Sequence, residues 1–168
     1  TFLGKGKDTT KILGGFGIDN LENITFTNMT LTNTNDCGDG INMSNAKVEL
    51  FDVAIKKCKS CALFIRTPTS ETTVVATRCE FSYSRYGALV FGSITSATFN
   101  NCVFHDNEED EIHGSSSTIH LHGEATAIHS NKGQGISAWS SGKVILHLPS
   151  HYNTSYNNGE GDRETISG

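Results

Sequence analysis

Lysine and arginine cluster between residues 56 and 85, where they could neutralise the carboxylates of an acidic polysaccharide. A lysine or arginine could also act as the base of a polysaccharide lyase, which abstracts a proton from a uronate. Tyrosine and tryptophan have flat rings with a polar edge and could stack on sugars. The glycan-binding candidates are Lys56, Lys57, Lys59, Arg66, Arg85, Tyr83, Tyr86 and Trp139.

The segment HDNEEDEIH holds the densest run of carboxylates. Oxygen ligands of this kind suit Ca²⁺, which could also neutralise a uronate. A charge run is equally typical of a solvated loop, so the sequence predicts no cofactor, with Ca²⁺ as the alternative. The metal candidates are Asp106, Glu108, Glu109, Asp110 and Glu111.

The chain contains seven histidines. Strict alternation along the strands places several of them outward, among them His120, His122 and His147. Exposed polar strand residues explain them most simply. Zinc binding or general-base catalysis is the alternative, although no carboxylate partner is fixed by the sequence.

Five cysteines leave at least one thiol unpaired. The CKSC segment, Cys58–Cys61, has neither the helix N-terminus of a redox site nor the second cysteine pair of a zinc site. A disulfide from Cys37 to Cys58 or Cys61 is a candidate. Cys79 and Cys102 occupy equivalent positions, and we interpret them as buried free thiols rather than a strained disulfide.

Composition excludes several classes of protein. The net charge of −5 gives no electrostatic reason to expect nucleic-acid binding. No apolar run approaches the roughly 20 residues that span a bilayer, so we expect no membrane insertion. Abundant glycine, serine, threonine and asparagine with only two prolines indicate β-structure with many turns.

The elements that position these residues recur every 22 to 26 residues. In a second register, segments such as NITFTNMTL and SATFNNCVF place two inward residues on each side of a two-residue step, which we interpret as a sharp corner. The least clear copy, HLHGEATAI, assigns Leu121 and Gly123 to inward positions. The apolar markers of the repeat are Ile18, Ile41, Leu63, Leu89, Ile112 and Ile136.

Such a unit cannot bury its own apolar face, but stacking at about 4.8 Å gives a continuous core. The sequence therefore predicts a parallel β-helix of six to seven coils over residues 1–148. Residues 149–168 are polar and are expected to cap the last coil or to begin a following region. The chain lacks an initial methionine, and we expect a fragment or a processed chain.

Stacked coils align equivalent side chains in columns. Asp52 and Arg78 share a corner column, which predicts an ion pair between adjacent coils. A second column of polar turn residues could satisfy main-chain groups by stacking. Its members are Thr34, Cys58, Ser84, Asn107 and Asn131.

The segments GKGKDTTKILGG, NITFTNMTLTN and HLPSHYNTSYNNGEGDR resemble β-helix domains of the pectin-lyase-like superfamily, especially those of algae and of the large viruses that infect them. The resemblance implies an all-β fold, a single-stranded right-handed parallel β-helix. Enzymes with this fold usually attack polysaccharides. NDCGDG, with Asp36 and Asp39, also resembles the aspartate motifs of polygalacturonase-like hydrolases, but their Gly-His-Gly and Arg-x-Lys partners are missing, which favours a simple turn.

We therefore expect a non-catalytic β-helix module that forms a rigid surface or assembly element and binds glycans. Its partners would be a polysaccharide or a neighbouring protein subunit. The alternative is a polysaccharide-acting enzyme, a lyase rather than a hydrolase. A groove that clusters cations with carboxylates would favour the enzyme, whereas a flat face with exposed Phe51, Val75 and Ile145 would favour assembly.

An extracellular, cell-surface or virion location is the matching expectation. Four N-x-[ST] triplets are compatible with a glycosylated, secreted chain. They begin at Asn23, Asn28, Asn42 and Asn153.

Overall fold

The structure, a computed structural model, describes residues 1–147 and 154–166. These residues form nineteen strands, and none of them belongs to a helix that could cross a membrane. In chain order the strands are β1 (Phe2–Leu3), β2 (Lys11–Leu13), β3 (Phe16–Asp19), β4 (Ile24–Thr32), β5 (Ile41–Ser44), β6 (Lys47–Lys56), β7 (Cys61–Ile65), β8 (Thr72–Thr77), β9 (Glu80–Ser82), β10 (Tyr86–Phe91), β11 (Thr95–Asn100), β12 (Val103–His105), β13 (Ile112–Ser115), β14 (Thr118–His122), β15 (Ala127–His129), β16 (Ile136–Trp139), β17 (Lys143–His147), β18 (Ser155–Tyr156) and β19 (Arg163–Ile166).

The strands wind into a parallel solenoid of about seven turns with three faces, which confirms the predicted all-β fold. The first face contains the beginnings of β4 and β6, then β8, β11, β14 and β17. The second face contains the ends of β4 and β6, then β9, β12, β15 and β18. The third face runs from β3 through β5, β7, β10, β13 and β16 to β19.

The corner between the first two faces lies at the predicted two-residue step. Its second residue adopts a left-handed conformation in four coils, at Asn28, Asp52, Arg78 and Asn101, with φ between 52° and 57°. Asparagine and aspartate tolerate this conformation because their short polar side chains bond locally. The chain therefore turns without a glycine in these coils.

In the coil that contains β14, the strand register differs by two residues from the alignment of the repeats in the sequence. Ile119 and Leu121, and not Leu121 and Gly123, pair with Ala97 and Phe99. Gly123 instead lies in a longer corner, with φ of 88°. The corner of this coil contains additional residues, and the apolar pattern of the sequence does not show where they lie.

Two of the markers on the third face are also displaced. The columns of that face run through Phe16 and Ala88 rather than through Ile18 and Leu89. An additional coil, β1 and β2, precedes the first predicted repeat and pairs with β4.

Phenylalanine rings fill the centre of the solenoid. Phe81 stacks on Phe104 with ring centroids 4.7 Å apart, and Phe99 meets both rings edge to face. All three side chains are fully buried. Their mutual packing supports the second-face strands that lead into the turns described below.

The cysteines are all free thiols, so no bridge joins Cys37 to Cys58 or Cys61 in this structure. Cys37 is exposed, whereas Cys58 and Cys61 are buried. Cys79 and Cys102 are buried as well, as predicted, and burial raises the pKa of the Cys102 thiol. The buried thiols behave as small apolar groups of the core.

At the C-terminal end, β18 and β19 add one more strand to the second and third faces. The solenoid thus continues into the segment for which a cap or a following region was predicted. The proposed boundary between residues 148 and 149 and the triplet at Asn153 lie outside the described residues.

The Asp52–Arg78 ion pair forms as predicted, with the Arg78 Nε donating to Asp52 Oδ1 at 2.9 Å. Because the pair is solvent-exposed, we expect Asp52→Asn to lower the free energy of unfolding by no more than about 1 kcal/mol. Asparagine keeps the left-handed backbone favourable, so the substitution isolates the charge. Urea unfolding would measure the change against Asp36→Asn, and a loss above about 2 kcal/mol would contradict a surface role.

Candidate functional site

A ladder of inward polar side chains follows the second face at each turn. The main-chain N–H of Cys58 donates to Ser84 Oγ at 3.1 Å, and that of Ser84 donates to Asn107 Oδ1 at 2.8 Å. The Asn107 N–H donates to Asn131 Oδ1 at 3.0 Å, and the Asn131 N–H to Asn158 Oδ1 at 3.2 Å. The predicted polar column is confirmed from Cys58 to Asn131, and Asn158 extends it by one coil. Its first predicted member, Thr34, is exposed instead, and the buried Asn33, whose carbonyl accepts from the Lys59 N–H, occupies the equivalent position.

The residues on either side of this ladder point outward and enclose a groove. Those before it have left-handed backbones, with φ of 57° at Lys57, 52° at Tyr83, 55° at Asp106 and 60° at Ser130. We call the resulting depression the turn groove. It comprises two adjoining hollows of 430 and 310 Å³ that share Tyr83 and Glu108, and its outward side chains are Lys57, Lys59, Tyr83, Arg85, Asp106, Glu108, Ser130 and Lys132.

One end of the turn groove is positively charged. Lys57 and Lys59 are exposed, and no described carboxylate pairs with either. Arg85 lies 5.3 Å over the Tyr86 ring and 3.8 Å from Glu109. Cations that face solvent without a partner are available to a negatively charged ligand.

Tyr83 stands at the centre of the groove and is 53% exposed. Its ring meets His105 edge-on at 5.6 Å, and His105 Nδ1 lies 2.6 Å from Asp106 Oδ2. The nearby Asp106 carboxylate raises the pKa of Tyr83, so the phenol keeps its proton to a higher pH than usual. The groove therefore offers an aromatic surface and a hydroxyl donor beside its cations.

The other predicted glycan-binding residues lie elsewhere. Lys56 is on the second face, 3.8 Å from Glu80. Arg66 forms an ion pair with Asp19 at 3.6 Å, and the Trp139 ring packs against a histidine ring of the third face. The structure thus brings together Lys57, Lys59, Tyr83 and Arg85, with Tyr86 beside them, and separates Lys56, Arg66 and Trp139 from this group.

Four of the five carboxylates of the acidic segment contact separate partners. The Asp106 carboxylate is hydrogen-bonded to His105, and Glu109 forms an ion pair with Arg85. Asp110 accepts from the Gln134 N–H at 3.0 Å, and the nearby His113 of β13, whose Nδ1 is 3.8 Å away, lowers the pKa of Asp110. Among the described residues, these carboxylates form no group of three within coordinating distance. Ca²⁺ binding here stays a prediction that the geometry does not support.

The expectation that all five carboxylates lie in a solvated loop is wrong for Glu111. Its side chain is fully buried, and Asn107 Nδ2 donates to Glu111 Oε2 at 2.6 Å. Gly87 and Gly135 occupy the same column in the neighbouring coils, and a Cβ at Gly87 would overlap Glu111 Oε1. Burial raises the pKa of Glu111 well above its usual value.

The second aspartate of NDCGDG, Asp39, has a structural role. Asp39 Oδ1 accepts from the Cys61 N–H at 3.0 Å, and Oδ2 accepts from Asn42 Nδ2 at 2.8 Å. The carboxylate therefore ties its own turn to the next coil. Because the main-chain donor lies in the next coil, this is a contact between coils and not an Asx turn, in which the side chain bonds the main chain of its own turn.

A family model described as "Right handed beta helix region" matches residues 10–159. The chain belongs to this family. Comparisons with the curated proteins and with the solved structures gave no significant match. The membership establishes a right-handed β-helix, and the finer resemblance to algal and viral domains stays a prediction.

Four outward residues of the groove of this β-helix were not predicted to bind a glycan: Asp106, Glu108, Ser130 and Lys132. Lys132 follows the ladder residue Asn131, as Lys59 follows Cys58 and Arg85 follows Ser84. This shared position in the repeat could have identified Lys132 as part of the groove from the sequence alone. Glu108 was assigned to a metal cluster, although it occupies the same column.

Proposed function

We propose that this β-helix is a rigid, non-catalytic module that binds an acidic glycan in the turn groove. The convergence of Lys57, Lys59, Tyr83 and Arg85 along one column of turns carries the proposal. Cations supply charge-assisted hydrogen bonds to carboxylate or sulfate groups, and the tyrosine ring offers a stacking surface. A location outside the cell or on a virion surface belongs to the same proposal.

The regular spacing of the coils supports a linear ligand. Stacked strands repeat every ~4.8 Å, a distance comparable to the length of one sugar unit. Consecutive cations could therefore face consecutive acidic sugars. The buried ladder beneath them fixes the turns before the ligand arrives, which reduces the entropy lost on binding.

The first face supports a second part of the proposal, contact with a neighbouring subunit. Phe51 and Val75 are half-buried on its outer side, and Ile145 is exposed. Apolar side chains on a flat sheet surface are compatible with assembly. A groove at the turns and a contact on this face could operate together because they occupy different sides.

A lyase is the second candidate, because the groove combines cations with the Glu108 carboxylate. Lyases need a base and a means of neutralising a uronate. The same groove would then bind and cleave the glycan. Product analysis separates the two functions, as described in the Discussion.

Binding can be tested by calorimetric titration with oligogalacturonate, oligoalginate and a heparin-derived oligosaccharide, beside a neutral xylo-oligosaccharide. We expect an acidic member to bind and the Lys57→Ala/Lys59→Ala variant to bind it at least about tenfold more weakly, since two charge-assisted contacts are lost. Lys11→Ala removes an exposed lysine outside the groove and is the matched control.

Equal binding by the double variant and by the Lys11→Ala control would place the glycan elsewhere. Binding of the neutral oligosaccharide with the same affinity would contradict the proposed role of charge. Failure of every acidic probe to bind would overturn the glycan part of the proposal.

A further inference from the structure

Three histidines lie together on the outer side of the first face, away from the turn groove. His120 and His122 are two residues apart on β14, so both side chains project to the same side of the sheet. His147 on β17 is the register partner of His122 in the next coil. The parallel register therefore places three imidazoles at the corners of a small triangle.

The ring nitrogens converge. His120 Nδ1 lies 2.9 Å from His147 Nε2, and the rings of His122 and His147 stack in parallel with centroids 4.2 Å apart. One nitrogen from each of the three rings lies within 4.8 Å of the others. Among residues 1–147 and 154–166, this is the one such group of potential metal ligands.

We propose that His120, His122 and His147 bind a divalent transition metal, of which Zn²⁺ is the representative. Imidazole nitrogen suits Zn²⁺, Cu²⁺ and Ni²⁺ and is a poor match for Ca²⁺ or Mg²⁺. A tetrahedral site with metal–nitrogen bonds of about 2.0–2.1 Å needs its nitrogens about 3.3 Å apart. His120 Nδ1 and His147 Nε2 are 2.9 Å apart and the three nitrogens lie within 4.8 Å of one another, so small rotations of the side chains would bring them to this spacing.

The strand framework suits such a site. His120 and His122 are half-buried at positions fixed by main-chain pairing on both sides of β14. Three protein ligands leave the fourth position of a tetrahedral metal open towards solvent. In the preceding coil, the polar residues Thr98 and Asn100 are the register partners of His120 and His122.

The site can be tested by titrating the whole chain with ZnCl₂ in a calorimeter. Cys37→Ser is included in every protein, because Cys37 is an exposed thiol that could bind zinc independently. We expect one Zn²⁺ per chain, and a loss of affinity of at least about tenfold in both His122→Gln and His147→Gln, since removing a ligand costs no less than removing one of its supporting contacts. His129→Gln, a histidine of the second face, is the matched control and should bind as the parent does.

Cu²⁺ provides a second readout that does not depend on affinity. The electron paramagnetic resonance spectrum should show coupling to imidazole nitrogen, which His122→Gln/His147→Gln should lose. Circular dichroism of the metal-free variants would verify that the solenoid is intact. Absence of zinc binding by the parent, or binding and nitrogen coupling that persist in the folded double variant, would overturn the proposal.

Discussion

Replacement of Asn107 by leucine is expected to lower the free energy of unfolding by about 3–5 kcal/mol. The Asn107 side chain accepts from the Ser84 N–H and donates to the main-chain oxygens of Phe81 and His105 and to Glu111. Leucine of similar size would remove these bonds from the Ser84 N–H and from Glu111, whereas the His105 carbonyl would keep the Tyr83 N–H as a donor. Each unsatisfied buried group costs about 1–3 kcal/mol.

Asn107→Ser is the informative companion variant. Ser84 occupies the same column one coil earlier, so a hydroxyl is compatible with the ladder. We expect serine to recover part of the loss, because it can still accept from the Ser84 N–H. Asn100→Leu, on the outer side of β11, should change stability by no more than about 0.5 kcal/mol.

Urea unfolding followed by circular dichroism would measure all three variants. If Asn107→Leu were no less stable than Asn100→Leu, the ladder would not contribute to the stability of the turns. The proposal of a groove fixed in advance would then lose its structural basis.

The second large effect is a dependence of the free energy of unfolding on pH, which arises from Glu111. Burial raises the pKa of Glu111 above its usual value of 4.5, so the folded chain retains a proton that the unfolded chain releases. The stability associated with Glu111 is therefore full below about pH 4.5 and decreases as the pH rises towards the folded-state pKa. Within that window the slope is up to about 1.4 kcal/mol per pH unit.

Glu111→Gln should flatten this part of the stability profile, because glutamine has no proton to lose. Unfolding free energies of the variant and the parent, measured from pH 4 to pH 9, should diverge as the pH rises, with the variant more stable at the alkaline end. Glu108→Gln removes an exposed carboxylate three residues earlier and should leave the parent's profile unchanged. Parallel profiles for Glu111→Gln and the parent would show that Glu111 is ionised in the folded chain.

Much of the architecture was predictable because it depends on local demands that recur in every coil. The corners at Asn28 and Asp52 need residues that tolerate a left-handed backbone, and the ladder needs short polar side chains at one turn position. Both leave a column of similar residues in the sequence. The apolar pattern located the core for the same reason.

The fifth coil shows where this reasoning fails. The extra residues around Gly123 keep the strand's alternation but shift its register by two, and period-2 patterns cannot detect such a shift. The shift concealed the alignment of His122 with His147. The metal site proposed above therefore became visible only with the main-chain pairing.

The groove was predictable in part. Lys57, Lys59 and Arg85 are near one another in the sequence and in space, because consecutive turns stack. Arg66 was grouped with them although the chain reaches the third face before that residue. Glu111 differed from its four acidic neighbours only through the flanking glycines of its column, a signal that becomes readable once the coils are aligned.

The most direct test of a non-catalytic, glycan-binding module is mass spectrometry of polysaccharides incubated with the chain. The panel should contain acidic and neutral polysaccharides, each with and without Ca²⁺, and the same samples should be assayed for retention by the chain. We expect an acidic polysaccharide to be retained and its length distribution to be unchanged. New oligosaccharides would contradict this expectation, and unsaturated ends among them would identify a lyase.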